Sequence, residues 1–76
     1  MFETKKALKY IEINPEIRTE IAGMVSEYRR EWPESDEEDI IGYVFDVFIS
    51  MTSDENGNSP YETADEVKVY NAVMKQ

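Results

Sequence analysis

The chain of 76 residues has no cysteine, no histidine, and only three glycines and three prolines. Without cysteine there is no disulfide, no thiolate nucleophile and no thiolate metal site. Without histidine, the commonest general base, the usual zinc ligand and the side chain that switches most readily near neutral pH are missing. No Gly-rich loop is present to cradle a phosphate, and no apolar run approaches the ~20 residues of a membrane span. The first residues lack a signal-peptide apolar region, so a soluble, cytoplasmic protein is expected. Together these absences lead us to expect a binding protein rather than an enzyme, with no cofactor and no metal.

Positive charge is scarce too. Eight Lys and Arg stand against seventeen Asp and Glu, for a net charge of −9. The imbalance is local. Residues 33–58 hold Glu34, Asp36, Glu37, Glu38, Asp39, Asp46, Asp54 and Glu55 with no base at all, while the flanking segments are nearly neutral. Direct binding to nucleic acid or anionic lipid is disfavoured, because the phosphate term that dominates such affinity would be repulsive.

At this length the chain forms a single domain, 1–76, which buries only about 60% of its unfolded surface and has no room for a deep cavity. The stretch Ser35–Met51 carries both the densest acid and the densest apolar run, and the rest reads as cover for it. From Ile40 to Met51 only Gly42, Asp46 and Ser50 are not large and apolar, and their spacing of four puts them on one line of a helix. The other faces are apolar, as in a buried helix. Ser35 followed by Glu38 has capping-box spacing, and the acids around it suit the positive end of a helix dipole. Ile41, Tyr43, Phe45, Val47, Ile49 and Met51 also alternate, which keeps a strand in competition. The cap and the length favour the helix.

Three further helices are expected. The first, Glu3 to Glu12, sets Ala7, Leu8 and Ile11 on one face. The second begins at Pro15 after an Asn14 cap and runs to about Trp32, with Ile17, Ile21, Met24, Val25, Tyr28 and Trp32 spaced by threes and fours, until Pro33 stops it. A turn-rich loop from Thr52 to Pro60 follows the apolar helix. The last helix takes Thr63 with Glu66 as a second capping box, and Val67, Tyr70, Val73 and Met74 as its apolar line. The fold class is therefore all-α, a small bundle of three to four helices with the largely apolar helix 35–51 at its centre.

Candidate sites follow from the charge. With Gly57 as the sixth position of a calcium loop, Asp54 and Asn56 fall correctly, but Thr52 stands first and Thr63 twelfth. The two strongest anchors are lacking, so a polar turn is the expectation. Asp46 and Asp39 formally offer paired carboxylates, though Gly42, Asp46 and Ser50 read more simply as an exposed stripe. The acids Glu34, Asp36, Glu37, Glu38 and Asp39 exceed what capping requires. With Asp54 and Glu55 they are the expected contacts for a protein with a basic surface, such as a nucleic-acid-handling protein whose groove spaced carboxylates could occupy. Tyr10, Tyr28, Tyr43, Tyr61, Tyr70 and Trp32 are many aromatics for so small a core. Trp32 and Tyr61, each beside a proline at a helix boundary, are the expected interface anchors. The alternative function is a homodimer or assembly subunit joined through the surplus apolar surface of the central helix.

Small size, acidity, four expected helices and an acid-capped helix followed by a polar turn resemble, in outline, the nuclease-colicin immunity proteins and small phage-encoded inhibitors of host defence nucleases. The paired tyrosines of the immunity family reduce here to Tyr61. The resemblance implies a helical inhibitor that masks a nucleic-acid-binding surface.

Overall fold

The computed structural model describes residues 2–75, and for Phe2 its backbone only. It is a bundle of four helices: α1 (Phe2–Ile13), α2 (Glu16–Glu31), α3 (Glu37–Met51) and α4 (Glu66–Met74). No strand occurs among the described residues, so the alternation over 41–51 is not used as a strand. None of their helices is long and apolar enough to cross a membrane.

Each helix buries a stripe at threes and fours, the spacing that stacks side chains on one face. The stripes are Thr4, Ala7 and Ile11 on α1, Ile17, Ile21 and Val25 on α2, Ile40, Val44, Val47 and Phe48 on α3, and Val69, Tyr70 and Val73 on α4. The long apolar helix α3 contributes the most core side chains, and the short α4 packs closely against all three others. Phe48 is fully buried, with the Tyr10 ring edge-on at 6.2 Å and the Tyr61 ring tilted at 5.5 Å. Among the described residues the large apolar side chains left exposed are Ile13, Met24, Trp32 and Val67, none of them on α3.

The helix starts depart from the expected caps, and local geometry gives the reasons. Ser35 donates its N–H to the Trp32 carbonyl and so belongs to the preceding turn. Asp36 therefore caps α3, accepting from the Asp39 N–H at 2.9 Å. Thr63 lies inside a turn closed by Ala64 N–H to the Tyr61 carbonyl, which leaves Asp65 to cap α4 through the N–H groups of Val67 and Lys68. Asn14 does not cap α2: its side-chain amide donates to the Tyr10 carbonyl and closes α1 instead, while Pro15 stands at the cap position with no side-chain bond.

Two distant hydrogen bonds lock α4 in place. The Asp65 N–H donates to the buried Thr4 hydroxyl at 3.0 Å, and Arg18 Nε donates to the Val73 carbonyl at 3.4 Å, placing a cation at the negative end of the helix. The Thr4 bond satisfies the backbone group that a capping box usually satisfies from within its own helix. Replacing Thr4 by valine keeps the shape and removes the acceptor. It is expected to cost about 1–3 kcal/mol, since the Asp65 N–H loses its partner. Urea unfolding measures this, with Thr4→Ser as the comparison that retains the hydroxyl.

Candidate partner-binding face

Helix α3 and the turns at its two ends carry the acidic third of the molecule. Gly42, Asp46 and Ser50 lie on its outward side, with Asp46 and Ser50 exposed. Asp46 is thus a solvated carboxylate that needs no buried counter-charge. It sits in an open groove of about 640 Å³ lined by Phe45, Ile49, Ser50, Ser53, Gly57 and Glu62.

The expected acids do not converge on one patch. Glu34, Asp36, Glu37, Glu38 and Asp39 cluster at the start of α3, while Asp54 and Glu55 lie just beyond its end. At 1.5 Å per residue, Asp39 is about 18 Å from the end of α3 at Met51, and Asp54 lies beyond that end. Asp46 bridges the interval: it is seven residues from Asp39, two turns along the same face, about 10 Å on. The arrangement is a line of carboxylates along one helix with denser charge at its ends.

These acids are not equally available. Asp36 is occupied as a cap. Glu37 pairs with Lys75 Nζ at 3.6 Å, both side chains being well exposed, so the pair is weak. Asp54 Oδ1 accepts from the N–H groups of Asn56 and Asn58, while the Asp54 N–H donates to the Asn58 carbonyl and its carbonyl accepts from Gly57. Gly57 at φ 81° supplies the left-handed residue this turn requires. Glu34, Glu38, Asp39, Asp46 and Glu55 are exposed and form no ion pair among the described residues. No group of three or more acidic side chains able to hold a metal ion occurs among them.

The two aromatic candidates differ in setting. Trp32 follows the last turn of α2 with 54% of its surface exposed. Tyr61 is half-buried, its ring 5.6 Å from Tyr10 and 5.5 Å from Phe48, and so supports the core as well as lining an open groove with Lys5, Lys6, Lys9, Tyr10 and Ile13. The two lie at opposite ends of the acidic line in sequence.

Three acids escaped the sequence reading. Glu62 closes a reciprocal box with Ser59: Ser59 N–H donates to Glu62 Oε1, and the Tyr61 N–H donates to Ser59 Oγ. The S-x-x-E spacing was the available signal. Glu27 and Glu31 line a groove between α2 and α3, and their spacing of four on the exposed flank of α2 was the corresponding clue. No protein-family model matches this chain, and neither a curated protein nor a solved structure matches it.

Proposed function

We propose that this protein binds, and by binding inhibits, a protein with a basic surface, of the kind that handles nucleic acid. The observation that supports this reading is the outer face of α3, where Glu38, Asp39 and Asp46 are exposed, share no ion pair with the described residues, and repeat along one rigid helix. Carboxylates spaced on a rigid element attract a cationic groove before contact and fix its register on arrival. A role in catalysis has no comparable support, and a cytoplasmic setting is part of the proposal.

The alternative, a homodimer through α3, draws less support from a helix whose large apolar side chains are all at least partly covered. The test is capture from a lysate of the source organism at low salt, with a salt-step elution. A nucleic-acid-handling protein with a basic surface is expected to elute at moderate salt. Recovery of no such protein, together with a concentration-dependent dimer in sedimentation, would favour the alternative.

A further inference from the structure

Along the flank of α2 that meets α3, Met24, Tyr28 and Trp32 recur at intervals of four, yet this ridge is left incompletely covered. Met24 is 41% exposed, Trp32 is 54% exposed and Tyr28 is half-buried. Tyr43 reaches across from α3 and stacks on Tyr28, with centroids 4.3 Å apart and planes 20° from parallel. Beside the stack runs a groove of about 170 Å³ lined by Met24, Glu27, Tyr28, Glu31 and Tyr43. Met, Tyr and Trp are the residue types enriched in the centres of protein interfaces.

The size and lining of the groove select its occupant. It is smaller than the several hundred cubic ångströms of an ordinary ligand pocket, which suits one long side chain. Its lining is a methionine, two tyrosines and two glutamates, and the glutamates pair with no cation among the described residues. A guanidinium matches this lining: its methylene stem packs on apolar surface, and its fork of N–H donors meets carboxylates. Glu20 extends the same acidic flank, while Arg29 projects about 100° away from Tyr28 around α2.

Resting on the reading of a basic partner, we infer that the α2–α3 groove is the anchor site for an arginine side chain of that partner. The binding surface then centres on the α2–α3 junction, where Trp32, Glu34, Glu38 and Asp39 adjoin the groove in sequence. Asp54, Glu55 and Tyr61, beyond the far end of α3, lie outside it.

The test uses the full chain, labelled uniformly with nitrogen-15 and also at methionine methyls and tyrosine rings, titrated with nona-arginine and with nona-lysine at fixed ionic strength. The expected result is a shift of the Met24, Tyr28 and Tyr43 signals, with nona-arginine binding more tightly than its lysine counterpart. Glu27→Gln with Glu31→Gln should weaken nona-arginine binding by roughly fivefold, against less than about twofold for the equally neutralising Glu16→Gln with Glu66→Gln. Binding that shifts only residues 34–39 or 54–55, with both double variants alike, overturns the groove but leaves the basic-partner reading standing. Absence of any salt-sensitive binding overturns both. Shifts of Met24 and Tyr43 that grow with protein concentration alone overturn the arginine assignment in favour of a second copy.

Discussion

Replacing Phe48 by alanine is expected to leave the chain largely unfolded at 25 °C. The side chain is fully buried, and it holds together three elements: its own helix α3, Tyr10 of α1, and Tyr61 of the turn before α4. Removing a buried phenyl ring costs about 3–5 kcal/mol, through lost transfer free energy and the cavity left behind. A core this small rarely supplies more than about 3–5 kcal/mol of net stability, so the loss matches the whole margin. Circular dichroism at 222 nm against urea measures it. A cooperative transition with an unchanged midpoint would show that the aromatic trio is not the keystone of the core. Val67→Ala, at a half-exposed position of α4, is the contrast and should shift the midpoint little.

Reversing the charge of the α3 outer face is expected to have the largest effect on binding. Glu38→Lys, Asp39→Lys and Asp46→Lys together convert a negative line into a positive one without touching the Asp36 cap or the Asp54 turn. Association with a cationic partner should slow by about one to two orders of magnitude at low salt, because exposed charges act chiefly on the rate of encounter. Stability should fall by about 1–2 kcal/mol, because Glu38 and Asp39 stand in the first turn of α3, where lysine opposes the helix dipole, while none of the three carboxylates accepts a hydrogen bond or joins an ion pair among the described residues. Unfolding in urea alongside stopped-flow association separates the two effects. Asp36 is a poor choice for such a test, because its loss also removes a helix cap worth about 1 kcal/mol.

How much of this was legible in the sequence varies by element. The four helices follow from apolar residues at threes and fours, bounded by Asn14-Pro15 and Pro33, and so do the buried Ala7 and Ile11 of α1 and Ile17, Ile21 and Val25 of α2, whereas Met24 and Trp32 on the same α2 line are exposed and the buried Thr4 was not in the expected face. The apolar helix was legible as an element but ambiguous in kind, since residues 41–51 satisfy a strand period as well. The acidic start at 36–39 and the absence of a pairing strand settle that conflict in the fold.

Caps were placed within one or two residues of their true sites. In Ser35-Asp36-Glu37-Glu38-Asp39 several side chains can cap, and only the turn that captures the Ser35 N–H selects Asp36. The same holds for Thr63 and Asp65, where the deciding contact is Thr4, sixty-one residues earlier in the chain. Helix α4 shows why its core face was misread. Val67, Val69, Tyr70, Ala72, Val73 and Met74 surround most of a nine-residue helix, so periodicity cannot choose between Val67 and Val69. Packing against three neighbours buries Val69 and exposes Val67.

The acidic third was legible as charge but not as a shape. Residues close in composition are separated by the length of α3, and a flank of Glu27 and Glu31, inconspicuous among the balanced charges of α2, adjoins the stacked tyrosines. Such a juxtaposition depends on tertiary packing and leaves no trace in a one-dimensional count.

The most direct test is the association rate with the captured partner, followed by Trp32 fluorescence as ionic strength rises from about 0.05 to about 0.5 M, where the screening length contracts from above 10 Å to a few ångströms. The rate should fall steeply for the native chain and stay flat or rise for the triple reversal at Glu38, Asp39 and Asp46. A rate indifferent to salt, and equal in the two proteins, would contradict electrostatic capture by the α3 face.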